Sequence, residues 1–342
     1  MVTAALLGSG LFARNSYLPA LPVPGLTVST LWSRSEASVS TLAQAASERG
    51  LNPTVLSGDD GLDAILDNPD IDALILVLPI GVHLFGVLQR TSPTSHSSTA
   101  RPRSSPKAGQ SSTGECTTRP FSPQGASYHA TTWRTVPDYQ GGFLLDGGVH
   151  WAALARTVLP ERCKPYSIIA NKSLHRAYML PHDTLIGIVQ SDPASSLPPH
   201  GKRTQFEGTL KEEDMPVQSG ESAPTGTFLL SWAIPDTNRS TRPANELYVV
   251  CDKATLRVIN MGREWKIILE PEVGERVEEG GAVSGVKVEL EDFADAVAAR
   301  KEGRPEGKNY GAPRDALWDV AFIQAALDSD GEKVVIDDVL RG

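Results

Sequence analysis

Two stretches of the chain combine residue types at spacings that can do chemistry. The first is Gly8-Ser9-Gly10-Leu11-Phe12-Ala13, a GxGxxA sequence directly after the apolar run Thr3 to Leu7. Gly8 permits a tight turn, Gly10 lets the backbone approach a pyrophosphate, and Ala13 lets a helix pack closely on a strand. Leu11 and Phe12 open the helix, whose free N–H groups and positive dipole suit phosphates. The strand-turn-helix context makes this a predicted dinucleotide site. The second stretch is Gly141-Gly142-Phe143-Leu144-Leu145-Asp146-Gly147-Gly148-Val149-His150. Asp146 and His150 are four residues apart, so a helix from Gly148 onward sets them near one face of its first turn. A carboxylate beside an imidazole sets its tautomer and tunes it as an acid or base near neutral pH. The flanking glycines would let a substrate approach the backbone. The plain alternative is a glycine-rich turn with a capping aspartate and a structural histidine.

The residues that close the second apolar strand indicate which dinucleotide is bound. An NAD site has an acid about 20 residues after the glycines, bonded to the ribose 2′-hydroxyl. Here the chain reads Trp32-Ser33-Arg34-Ser35, and Glu36 lies beyond the strand end. A hydroxyl from Ser33 and a guanidinium from Arg34 suit a 2′-phosphate. NADP is therefore favoured over NAD. Pro79 and His83 follow the run Ile71 to Leu78, at the strand end where ligands sit in such sheets, so His83 is a candidate for the nicotinamide pocket, with a surface histidine in the first turn of a helix as the equal alternative.

These residues need elements to hold them. Thr3–Leu7, Leu26–Trp32 and Ile71–Leu78 read as buried strands, with Leu11–Leu21, Ala37–Arg49 and the segment around Leu62, Ile65 and Leu66 as helices between them. That alternation predicts an α/β fold with a doubly wound, Rossmann-type parallel sheet, here truncated. Residues 91–130 hold 10 Ser, 6 Thr and 5 Pro among 40 residues and no apolar periodicity. They read as a disordered or aberrant segment. Beyond it, Thr184–Gln190, Thr225–Ile234, Leu247–Cys251, Thr255–Asn260 and Trp265–Leu269 read as strands of an antiparallel sheet, closed by helices at Leu290–Arg300 and Ala316–Leu327. The expected organisation is a nucleotide-binding domain over 1–90, the aberrant segment over 91–130, and a substrate-binding and oligomerisation domain over 131–342.

Composition narrows the partners. With 32 basic and 41 acidic residues the net charge is −9, against nucleic acid or an anionic membrane as a partner. The longest apolar run, Ala73 to Ile80, is far short of the roughly 20 residues of a spanning helix. Met1–Leu7 lacks a basic n-region and reads as a buried strand, not a signal peptide. Cys116, Cys163 and Cys251 lie far apart without a CxxC pair, against a structural zinc or a disulfide framework. A cytoplasmic protein without a bound metal is expected.

Together, the GSGLFA turn, the strand VLPIGVH, the GGFLLDGGVH stretch and the tail LEDFADAVAARKEGRP…ALWDVAFIQAALDS resemble the Gfo/Idh/MocA oxidoreductases, the glucose–fructose oxidoreductase and inositol dehydrogenase family. The resemblance covers about 1–88 and 132–342, and WRTVPDYQGGFLLDGGVH is most similar to fungal members. It implies a Rossmann domain followed by a C-terminal α/β domain with a large, mostly antiparallel open sheet. It also implies hydride transfer between a nicotinamide cofactor and a sugar, polyol or related small alcohol or carbonyl. By motif, Asp146 and His150 match the family's substrate-site pair, and Pro79 and His83 match its cofactor-site segment. Assembly through the open sheet as a homodimer or homotetramer is implied as well. The chain departs from the family at its Glu-Lys-Pro motif, whose lysine bonds the reacting oxygen and assists proton transfer. Where that motif belongs the chain reads Arg101-Pro102-Arg103-Ser104-Ser105-Pro106-Lys107. The expectation is an impaired catalyst, with a non-catalytic dinucleotide-binding regulator as the alternative.

Overall fold

The computed structural model describes residues 1–78, 111–119, 122, 124–136, 142–195, 223–234, 245–251, 253–262, 264–283, 285–307 and 312–341. The chain divides into two compact units, Met1–Pro102 with Ser284–Asn309, and Arg103–Val283 with Tyr310–Gly342.

The first unit is built on four parallel strands, β1 (Val2–Leu7), β2 (Leu26–Ser33), β3 (Thr54–Ser57) and β4 (Ala73–Leu76), in the order β3-β2-β1-β4. Strand alternation divides the core. Val2, Ala4 and Leu6 pack with Val39, Leu42 and Ala46 of the helix Glu36–Ser47, whereas Ala5 and Leu7 pack on the other face with Trp32, Leu62 and Ile65. A sheet covered on both faces explains why its strands read as continuous apolar runs. The helix Gly285–Lys301 belongs to this unit: Leu290 and Ala294 join the first of these clusters. The sequence expectation had assigned that helix to the second domain. Its apolar stripe announces a buried face but not which core receives it.

The second unit holds nine strands in the order β12-β11-β10-β9-β5-β8-β7-β6-β13. They are β5 (Ser111–Thr118), β6 (Pro165–Ser173), β7 (Thr184–Ser191), β8 (Thr225–Ser231), β9 (Asn245–Cys251), β10 (Ala254–Asn260), β11 (Glu264–Pro271), β12 (Val277–Ala282) and β13 (Lys333–Val335). Every pairing is antiparallel except β5 with β8. Leu185, Phe228, Leu230 and Leu247 of the sheet share one core with Leu144, Ala152 and Phe322 of the helices Gly142–Val158 and Pro313–Ser329. Between these helices Arg156 grips Asp319 with two bonds, Nε to Oδ1 at 2.8 Å and Nη2 to Oδ2 at 2.9 Å.

β5 corrects the disorder expectation for part of 91–130. Ser111–Thr118 lies at the centre of the sheet, paired with β8 on one side and β9 on the other. Its inward residues Cys116 and Thr118 are small, so no apolar run marks it. Two flanking strands satisfy its backbone, and Thr113, Thr117 and Thr118 are β-branched.

Candidate functional site

In the first unit the glycine-rich turn has the geometry its residues predict. Gly8 takes φ +116°, and a Cβ there would stand 2.1 Å from the Val77 carbonyl oxygen. The Gly8 N–H donates to the Trp32 carbonyl at 2.8 Å, tying the turn to the end of β2. A Cβ at Gly10 would meet nothing within 4 Å, so space lies open above the backbone there. Leu11 and Phe12 begin a helical segment that passes through a π turn, Ala13–Tyr17, and ends with Leu18–Ala20. Ala13 is fully buried, as close packing on the strand requires, and Phe12 is exposed with its ring edge-on to Tyr17 at 5.5 Å. Burial, assisted by the Glu289 carboxyl beside it, pushes the Tyr17 hydroxyl up to about 12. Ser33 is half-buried at the end of β2 and Arg34 is exposed just beyond it. Ser35 then caps the helix Glu36–Ser47, its Oγ accepting from the Ser38 N–H at 3.3 Å. Sequence reasoning missed Arg14, whose Nε is buried without a partner among the described residues. Pro79, His83 and Lys107 lie outside the described residues.

In the second unit the glycine stretch before His150 is not a turn. The helix runs from Gly142 to Val158, so Asp146 and His150 both lie inside it, one turn apart. The reason is packing. A Cβ at Gly147 would stand 2.4 Å from Cζ2 of the Trp232 indole, and one at Gly148 would stand 2.9 Å from Cδ1 of Leu230. These glycines bring the helix backbone onto the sheet, and that burial outweighs their poor helix propensity of about 1 kcal/mol each. The expected approach of substrate to their backbone is thereby corrected, because protein side chains occupy that space.

Asp146 is half-buried and His150 exposed. Asp146 Oδ2 accepts from Arg134 Nε at 2.8 Å, with side-chain exposures of 25% and 15%. Arg134 Nη1 in turn donates to the Tyr128 carbonyl at 3.1 Å and to Thr131 Oγ1 at 3.0 Å. The arginine is thus anchored in the turn from which it reaches the helix. Nothing in the spacing of Arg134, twelve residues before Asp146, announces this pair. Next to it His129 is buried, with Nε2 donating to the Tyr178 carbonyl at 2.8 Å and its ring edge-on to Phe143 and Tyr178. Its Nδ1 has no partner among the described residues.

A buried carboxylate braces the far side of this cluster. Asp183 accepts from the His175 N–H at 2.8 Å, the Arg176 N–H at 2.6 Å, His175 Nδ1 at 3.0 Å and Thr184 Oγ1 at 2.9 Å. Burial pushes the Asp183 carboxyl up, but these bonds together outweigh it and hold the group below the usual carboxylate range. The Asp183 carbonyl accepts from the Trp232 N–H at 2.9 Å, and the Trp232 ring is the surface on which Gly147 packs. Among the described residues no group of three or more His, Cys, Asp or Glu could hold a metal ion, and no helix is long and apolar enough to cross a membrane.

No family model matches the chain. A curated relative, Dehydrogenase FPY6 of Fusarium mangiferae, is 30% identical over 237 residues, which span 56% of this chain and 68% of that protein. Among solved structures, an oxidoreductase from Thermotoga maritima superposes with a TM-score of 0.69 at 21% identity, covering 99% of both chains. The WlbA dehydrogenase from Bordetella pertussis, solved with NADH and UDP-GlcNAcA, superposes with a TM-score of 0.64 at 12% identity, covering 98% of both chains.

Proposed function

The chain belongs to the Gfo/Idh/MocA family of oxidoreductases, and from that premise we propose that it moves hydride between NADP, in preference to NAD, and a sugar, polyol or related small carbonyl compound. The observation that carries this reading is the Asp146 carboxylate, held by Arg134, one helical turn before the exposed His150 imidazole. In it, His150 exchanges a proton with the reacting oxygen of the substrate, and Asp146 orients the substrate by accepting from a hydroxyl.

The residues of the first unit fit a dinucleotide. Gly8, Gly10, Leu11 and Phe12 would hold the pyrophosphate, since a side chain at Gly10 would project into open space. Arg14, whose Nε has no partner among the described residues, suits an anion nearby. Ser33 and Arg34 would hold a 2′-phosphate, and Pro79 and His83 would line the nicotinamide end. When bound, the cofactor supplies or accepts the hydride. Fluorescence titration tests the preference. NADPH should bind more tightly than NADH, and Arg34→Ala should weaken NADPH by about 1.5–3 kcal/mol while leaving NADH unchanged. Equal binding of the two cofactors by the wild type would remove the assignment.

The missing Glu-Lys-Pro motif bears on activity. A lysine there would stabilise a developing alkoxide with its charge, and without it we expect turnover below about 1 per second on a panel of sugars, polyols and aldehydes. His150→Asn should lower whatever rate exists by about 10² to 10⁴, and Asp146→Asn should lower it too. Unchanged rates in both variants would reduce the pair to a structural role. The same absence favours a second reading, a non-catalytic dinucleotide-binding regulator, which would bind NADPH tightly without turnover.

We also propose a second copy of the chain as partner, docked on the sheet face where Ile169, Ile186 and Ile188 are 40%, 54% and 59% exposed. Action in the cytosol is part of the same proposal, supported by the wide spacing of Cys116, Cys163 and Cys251 without a CxxC pair.

A further inference from the structure

We propose that the second unit holds a ligand site separate from Asp146 and His150: a cavity beneath the end of the helix Gly142–Val158 that takes the tip of an unbranched, uncharged alkyl chain. The proposal does not rest on hydride transfer or on a bound dinucleotide.

The floor of the cavity follows from the register of the sheet. Val189 of β7 lies opposite Gly226 of β8, Gly226 opposite Gly114 of β5, and Gly114 opposite Val249 of β9. This row crosses the inward face of the sheet, since Cys116, the next inward residue of β5, is buried in the core. The two middle members of the row have no side chain. Ala155 and Leu159 at the end of the helix, with Phe322 of the helix Pro313–Ser329, line the same space and leave a cavity of about 50 Å³. The two glycines are there for different reasons. A Cβ at Gly226 would stand 2.5 Å from the Gly114 carbonyl oxygen, so the close strands demand glycine. A Cβ at Gly114 would meet only the Tyr248 carbonyl oxygen, at 3.6 Å. Packing therefore tolerates a side chain at Gly114, and its absence keeps the cavity open in a core that gains by being filled.

The walls set the chemistry of the occupant. Glu115 is the one charged residue along the described wall, and it is exposed and accepts from Thr117 Oγ1 at 2.8 Å. Alternation along β5 puts both of these on the other face of the sheet from Gly114 and Cys116. Burial pushes the Cys116 thiol up to about 12, so it presents a neutral, polarizable sulfur. An ion drawn into this space would lose its water without gaining a partner, whereas methylenes gain by leaving water. Gly114, Gly226, Val189 and Leu159 are half-buried, so the cavity is reached from solvent at this end and a polar head can remain wet. Size sets the shape. An apolar cavity of about 150 Å³ takes benzene, and a space about a third as large takes a slim chain and excludes a ring.

The experiment is calorimetric titration of the full chain with 1-hexanol and with cyclohexanol, two alcohols of equal carbon count and different width. Circular dichroism establishes that each variant is folded. The wild type should bind 1-hexanol about tenfold or more tightly than cyclohexanol, and Gly114→Val, which fills the cavity, should weaken 1-hexanol by about tenfold or more. Gly114→Ala, whose added methyl makes only ordinary contacts, should weaken it in the same direction by less, and it serves if the valine variant does not fold. Equal binding of the two alcohols by the wild type overturns the proposal, and so does undiminished 1-hexanol binding in both Gly114 variants. No binding of 1-hexanol by the wild type up to its solubility, with filled variants that melt higher, would make the space a plain packing void.

Discussion

The two glycine-rich stretches of this protein look alike as sequences and differ in why they need glycine. At Gly8 the requirement is conformational as well as spatial: φ is +116°, and a Cβ would overlap the Val77 carbonyl. At Gly10 the backbone is unhindered and the space is empty, which leaves room for a ligand. At Gly147 and Gly148 the conformation is ordinary helix, and the space is filled by Trp232, Leu230 and Ile323. In the proposed reading, the first stretch uses glycine to bring backbone to a ligand. The second uses it to bring a helix onto the sheet, and that helix carries Asp146 and His150.

Substitution by alanine separates these roles. The largest effect is expected at Gly8→Ala, where clash and left-handed strain together should cost about 3 kcal/mol or more. Gly10→Ala is its control. Thermal melting should be unchanged, whereas NADPH affinity should fall by about tenfold, near 1.4 kcal/mol. If Gly10→Ala melts early with affinity intact, the open space is not a ligand space.

A smaller loss is expected from Gly147→Ala. Overpacking typically costs about 1–3 kcal/mol, and the gain in helix propensity of about 1 kcal/mol offsets part of it. NADPH binding by the first unit should not change. A stabilised Gly147→Ala protein would break the comparison, because it would mean that Trp232 yields freely.

The smallest effect concerns the support under Trp232. The Asp183 carboxyl lies below its ordinary value in the folded protein, so it binds protons less readily folded than unfolded. Its stabilising contribution is complete above the unfolded value of about 3.9 and is lost as pH falls through the lower folded value. Denaturant melts should show wild type losing stability below about pH 4, and Asp183→Asn should be less stable at neutral pH with a flatter acid limb. A wild-type acid limb no steeper than that of the variant would remove Asp183 as the brace.

The first half of the molecule was more legible in the sequence than the second. β1, the Gly8 turn and the helix Glu36–Ser47 follow from local signals: an apolar run, a glycine that must turn, and buried Val39, Leu42 and Ala46 behind the Ser35 cap. Ser33 and Arg34 fall at the end of β2, where the strand-helix rhythm puts them. In the second half, Asp146 and His150 were recognisable as a pair, but their neighbours were not. Arg134 reaches Asp146 from a separate turn, Trp232 comes from the end of β8, and Asp183 precedes β7. Such contacts join residues far apart in the chain, and no periodicity records them.

By itself, then, the sequence determined the alternating strand-helix pattern of the first unit, the nucleotide-type glycine turn, the antiparallel run of strands and the family to which they point. Tertiary structure decided that Ser111–Thr118 is a central strand, that GFLLDGG is helix, that Gly285–Lys301 packs with the first unit, and that Arg134 takes one oxygen of Asp146. The physical reason is the same in each case. Local propensity there is weak or contrary, and the stabilisation comes from partners distant in sequence: two flanking strands for β5, Trp232 and Leu230 beneath the glycines, and a guanidinium anchored in another turn.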